Sequence, residues 1–169
     1  MADKFLRMLS GRITEKEATV QSGGNGDAGE LVALDATGKL DSSVLPTGVG
    51  AETKTLPASE ALAAGDWVNF WLDTATEKVR KADATAQGKE AQGFVLAGVE
   101  SGATATVYLA GVNNQLTSLT KAAGYYLSAT AGAEVATAPS GSGNVVQALG
   151  PAISDTEIAF HPGTPVTLA

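Results

Sequence analysis

Catalysis needs side chains that move protons or make bonds, and this 169-residue chain offers few of them. It has one histidine, His161, followed by Pro162-Gly163, and no cysteine. A nucleophile triad would have to join His161 to a serine and an acid, yet no Gly-x-Ser-x-Gly elbow occurs. Ser140-Gly141-Ser142-Gly143 reads as a loop, and His161 as a residue at the end of a strand. One imidazole with no thiolate cannot build a zinc site, and the missing cysteines exclude disulfides. Asp35 and Asp41 flank Gly38-Lys39 but miss the alternating aspartate pattern of a calcium loop. Asp27 and Glu30 read as solvated loop acids with at most a weakly held ion. Neither Gly38-Lys39 nor Gly88-Lys89 is followed by Ser or Thr, so a phosphate-cradling loop is not expected. Asp66, Asp73 and Glu77 form the one faint carboxylate set that a glycan hydrolase would need. No catalytic residue, cofactor or metal is therefore expected.

Charge and composition narrow the partners. Eleven basic and eighteen acidic residues give −7 at pH 7. Lys4, Arg7, Arg12 and Lys16 outnumber Asp3 and Glu15 in the first sixteen residues, while no Lys or Arg occurs from Ala122 onward. An acidic body repels phosphate backbones, so nucleic acid is not an expected partner. No apolar run approaches the roughly 20 residues of a spanning helix, so no membrane partner is expected, and Met1 to Arg12 lacks the apolar core of a secretion signal. Alanine alone supplies 30 residues, leaving 44 larger apolar side chains to build a core. That suits a small β domain.

These residues must be positioned by two regions, an arm and linker over 1–50 and a body over 51–169. Phe5, Leu6, Met8 and Leu9 are spaced to share one side of a short helix, with Lys4, Arg7 and Arg12 around them. Such a segment either frays or orders on a partner surface. Ser22 to Gly29 holds four glycines and reads as a flexible joint. Glu30 to Asp35 is a candidate strand, Asp35-Ala36-Thr37-Gly38-Lys39 a turn, and Thr47-Gly48-Val49-Gly50 a second joint.

The body reads as all-β, a small sandwich or barrel of short strands rich in Val, Thr and aromatics. Only Ser59 to Ala64 has the spacing for a turn of helix. An internal duplication is expected, over about 53–111 and 112–163. Ala63-Ala64-Gly65-Asp66-Trp67-Val68 is echoed by Ala122-Ala123-Gly124-Tyr125-Tyr126-Leu127, and Phe94-Val95-Leu96-Ala97-Gly98 by Val146-Gln147-Ala148-Leu149-Gly150. Alternation puts Val68, Phe70 and Leu72 on one strand face, as core, and Trp67, Asn69 and Trp71 on the other. An outward Trp pair reads as a contact surface unless a neighbouring segment covers it. Trp67, Trp71 and Tyr125 are thus the expected oligomer interface. Lys78 and Arg80 share a face that reads as solvated.

Glu30-Leu31-Val32-Ala33-Leu34-Asp35-Ala36-Thr37-Gly38-Lys39-Leu40-Asp41-Ser42-Ser43-Val44-Leu45-Pro46 resembles a segment common in structural proteins of tailed bacteriophages. Gly124-Tyr125-Tyr126-Leu127-Ser128, Gly141-Ser142-Gly143-Asn144-Val145-Val146-Gln147 and Ile158 to Gly163 are similar to the closing β module of phage head-decoration and head-fibre proteins. Together these segments cover roughly half of the chain. Where that module usually carries a small apolar residue and an aspartate before its closing Pro-Gly, this chain carries His161. The resemblance implies a capsid decoration or cement protein. Its partners would be the major capsid protein and itself, as a homotrimer. It would be made in the host bacterial cytoplasm and sit on the outer capsid surface of the virion. It brings no catalytic residues. The capsid-contacting residues expected in the arm are Phe5, Leu6, Arg7, Met8, Leu9, Leu31, Leu34, Leu40 and Leu45. A head-fibre or receptor-binding tip that attaches to the host is the alternative.

Overall fold

The computed structural model describes residues 4–45 and 50–169. Pro46 and most of the second expected joint lie outside the described residues. The chain divides into two compact units, 1–50 and 51–169.

The first unit opens with β1 (Lys4–Leu9) and β2 (Arg12–Glu17), an antiparallel hairpin. The helix expected around Phe5 to Leu9 is therefore a strand. Six residues are too few for periodicity to separate the two, and the turn decides. Ser10 and Gly11 have φ of 51° and 78°. Two successive positive-φ residues make the two-residue turn whose twist matches paired strands. Two short 3-10 turns follow, Asn25–Asp27 and Ser42–Val44. Between them Asp35 accepts hydrogen bonds from the Thr37 amide, the Thr37 hydroxyl and the Lys39 amide at 2.7 to 3.0 Å. None of this unit's described residues is fully buried.

The body is all-β. Its first strands are β3 (Thr53–Pro57), β4 (Trp67–Asp73), β5 (Thr76–Lys81), β6 (Gly93–Val95) and β7 (Thr104–Tyr108). They pair in the order β3-β7-β6-β4-β5, every neighbour antiparallel. Just past β3, Ala58 bridges Val79 of β5, and the Ser59 amide donates to the Val79 carbonyl at 2.8 Å. First and last strands thus meet, and the sheet curls into a small barrel. Inside it Leu56, Ala58, Leu62, Val68, Val79, Val95, Ala105 and Val107 form one core. Ser59 to Ala64 is not helical; Leu62 instead bridges Val99, which drives its side chain into that core.

The later strands are β8 (Gly111–Asn113), β9 (Gly124–Leu127), β10 (Glu134–Val135), β11 (Val145–Val146), β12 (Ala148–Pro151), β13 (Ile158–Phe160) and β14 (Val166–Thr167). β8 pairs β13, β12 pairs β9, and β9 pairs β10. A bridge from Ala152 to Ile158 and the bond from the His161 amide to the Leu149 carbonyl join β12 to β13. The order β8-β13-β12-β9-β10 therefore repeats that of β3 to β7, strand for strand. Trp67 lies opposite Phe94 and Tyr126 opposite Ala148, so Ala148 takes the place of Phe94. The sequence match had paired Phe94 with Val146, two residues earlier. A slip of two leaves faces unchanged, and beyond Ala148 a separate irregularity inserts one extra residue in β12 before Gly150.

The two strand sets share a second core of Trp67 and Phe94 with Tyr125, Leu127, Leu149, Ile158 and Phe160. Trp67 packs 5.7 Å from Phe94 and 5.2 Å from Phe160, between ring centres. Polar groups cross the same seam. The Gln147 side chain accepts from the Ala91 amide at 2.8 Å and donates to the Ala91 carbonyl at 2.9 Å, all of it buried. Replacing Gln147 with Ala leaves both Ala91 groups unpaired. It should destabilise the body by about 2 to 4 kcal/mol in urea unfolding followed by tryptophan fluorescence.

Asp83 lies at the same seam, bonded to the Thr85 hydroxyl and to Lys89. Burial pushes its carboxyl up, but the Thr85 hydroxyl, the Lys89 ammonium and the Thr85 amide outweigh this and hold it below the usual aspartate value. A carboxyl lowered in the folded state adds stability above its unfolded pKa, lost as pH falls through the folded one. Asp83→Asn should therefore flatten the loss of stability in acid melts below about pH 4, the ordinary aspartate range.

Candidate partner-binding surface

The carboxylates weighed in the sequence are all engaged in structural bonds. Asp66 meets Lys81 at 3.0 Å, Asp73 meets Lys78 at 2.7 Å, and Glu77 meets Lys54 at 2.8 Å. Each carboxylate has its own lysine, and register puts Asp73 and Glu77 on opposite faces of the β4–β5 pair, unlike the converging pair of a hydrolase. Asp27 accepts from the Gly23 amide, and Glu30 pairs with Arg7 and Lys16. Asp41 caps Ser42–Val44 through the Ser43 amide and accepts from Gln21 at 3.1 Å. The Ser43 hydroxyl and amide and the Gln21 amide hold its carboxyl below the usual range, which is the signature of a structural cap. His161 is exposed. Among the described residues no three His, Asp or Glu side chains gather as a metal site.

The body aromatics fall differently from expectation. Trp67 is completely buried and Tyr125 nearly so, both in the shared core. Neither has surface left for another chain, so both leave the expected oligomer interface. Trp67 does point out of the barrel, as alternation requires, but the second strand set covers it. Its indole N–H donates to Glu134 of β10 at 3.0 Å. The Tyr125 hydroxyl accepts from the Thr120 amide at 2.8 Å. Trp71 stays partly exposed, with the Arg80 guanidinium 5.0 Å above its ring and its N–H donating to Ser59. On the other face Leu72, read as core, is 66% exposed, because β4 runs past the barrel's end there. The Lys78–Arg80 face is not free charge either, since Arg80 also bonds Asn69 and the Gly88 carbonyl.

The first unit has the reverse character. Among the described residues, nine large apolar side chains stand exposed there, against four in the much longer body. Exposed apolar surface of that density marks a contact surface. It has two parts, set by the hairpin's alternation. On the outer face, register places Lys4 opposite Glu17, Leu6 opposite Glu15, and Met8 opposite Ile13. Leu6, Met8 and Ile13 are each more than 70% exposed. The inner face carries Phe5, Arg7 and Leu9, with Lys16 and Thr14 across from Phe5 and Arg7. Arg7 and Lys16 both reach Glu30, at 3.3 and 3.4 Å. Thr19 then bonds the Leu31 carbonyl and the Ala33 amide, clipping Leu31 to Ala33 alongside. Phe5, Ala18, Leu31 and Leu34 line a shallow groove of about 360 Å³. Of the remaining arm residues, Leu9 and Leu40 are exposed, while Arg7 and Leu45 are partly covered.

Ile13 and Val32 belong to this surface and were missed by the sequence reading. A hairpin assignment for residues 4–17 would have shown Ile13 sharing a face with Met8. In comparisons with known proteins, no family model and no curated protein matches this chain.

Glu30 is the anchor of the inner face, its side chain only 11% exposed. Glu30→Ala should release Leu31 to Ala33. Hydrogen exchange at the Thr19 and Ala33 amides should then quicken roughly tenfold, the loss of about 1.5 kcal/mol expected for bonds to a largely buried charge.

Proposed function

We propose that this protein is a structural virion component that binds the outer surface of a bacteriophage capsid as a homotrimer and stabilises the shell. One observation carries the reading: a core-bearing β body is joined to a small unit that, among the described residues, has none buried and holds most of the exposed large apolar side chains. A unit of that size without a core gains its burial from a partner. The resemblance of Glu30 to Pro46 and of the closing strands to phage virion proteins supplies the kind of partner, the major capsid protein. No chemistry is asked of the body, whose Asp66, Asp73 and Glu77 are spent on lysines.

A shell presents the same shallow site many times. Three joined units bind such a lattice far more firmly than one, because after the first contact the others act at high local concentration. Contacts of modest individual strength at Phe5, Leu31, Leu34 and Leu40 then suffice. Removing residues 1–45 should leave a body with unchanged urea midpoint and near-ultraviolet dichroism. That body should no longer sediment with undecorated capsids of a phage whose genome carries this sequence. A truncated chain that still saturates those capsids overturns the reading.

A further inference from the structure

We propose that the outer face of the β1–β2 hairpin is a contact between copies of this chain, β1 of one copy meeting β2 of the next around a closed ring. The inference rests on the homotrimeric part of the reading above and assigns its contact, which the body aromatics do not supply. The hairpin has three cross-strand levels on this face. At each, one residue comes from β1 and one from β2: Lys4 with Glu17, Leu6 with Glu15, Met8 with Ile13. Set side by side around an axis along the strands, the β1 edge of one copy meets the β2 edge of its neighbour at the same level. Lys4 then meets a Glu17, and Met8 meets an Ile13. Glu15, at the middle level, is already neutralised by Lys4 of its own chain at 2.5 Å.

The charge pattern selects a second copy over another occupant. The face carries one cation, two carboxylates and three apolar side chains that are each over 70% exposed. A partner surface of single sign would leave either Lys4 or the glutamates against like charge, whereas the same face of another copy sets Lys4 against Glu17 and Met8 against Ile13, and the Glu15 that faces Leu6 keeps its own-chain ion pair with Lys4. Head-to-tail contacts of this kind close into rings when the rotation allows. A two-stranded hairpin is also marginal in water by itself and gains from further strands and a covered face. Among the described residues, no backbone hydrogen bond reaches Lys4–Glu17 from outside the hairpin. The body offers no equal patch: its exposed large apolar residues, Leu72, Val112, Ile153 and Val166, come from four separate segments.

The chain's lack of cysteine makes the test direct. A tagged Met8→Cys chain is mixed with an untagged Ile13→Cys chain and oxidised with copper phenanthroline. Two thiols form one disulfide, and their two electrons pass to copper. The expected result is a mixed covalent dimer in excess of either like dimer, and none when Leu72→Cys, equally exposed on the body, replaces Ile13→Cys. Light scattering should give the wild-type chain a mass of several times 17.0 kDa and the Leu6→Glu/Ile13→Glu chain the mass of one. A wild-type monomer, or an oligomer that survives the double substitution without any cross-link, overturns the inference. If the wild-type chain sediments with capsids in either case, shell binding stands and only this contact between copies falls.

Discussion

The body depends on the burial of Trp67. Its strand curls into a barrel whose interior is already filled by valine, leucine and alanine, so the indole points outward. An outward indole is tolerable only when something covers it, and the second strand set does so with Phe160, Tyr125 and Leu127. The N–H that such burial would strand finds the Glu134 carboxylate. Removing this one contact region would leave two small β sheets, each below the size at which an independent core is secure.

With few large apolar residues available, how they are shared becomes decisive. The body takes Trp67 and three of the four phenylalanines, and with Val68, Val79, Val95 and Val107 among others it closes two adjoining cores. Alanine completes both, at Ala58, Ala82, Ala84, Ala91, Ala105 and Ala152. Buried amides finish the seam where apolar side chains run out: Gln147 imitates a strand partner for Ala91, and Asn113 donates to the Gly65 carbonyl at 2.8 Å. Such polar links specify one arrangement of the two sets, since any other pairing would leave buried groups unsatisfied.

The first unit is held by different forces. Backbone pairing, an aspartate-centred turn at Asp35 and the Glu30 ion cluster give it shape, while its leucines and Ile13 face outward. Directional bonds of this kind define a form without burying surface, and the hydrophobic term that ordinarily stabilises a fold is left for association. One chain thus separates a self-sufficient body from an adhesive unit.

What the sequence determined by itself was local. Short Val- and Thr-rich runs punctuated by glycine declare an all-β body, and Asp35 to Lys39 declares its turn because all of its bonds lie within five residues. The same alternation put Trp67 and Val68 on opposite faces. What alternation cannot say is whether one face is covered or both; that depends on strands some 60 to 90 residues away, and Trp67 and Tyr125 moved from surface to core for this reason. Leu72 moved the opposite way because β4 outruns the barrel. The six residues Lys4–Leu9 fit a helix as well as a strand until the Ser10-Gly11 turn paired them with β2, and only that pairing set Met8 beside Ile13. Tertiary structure decided which surfaces remain open, because burial is a property of neighbours and not of the residue that is buried.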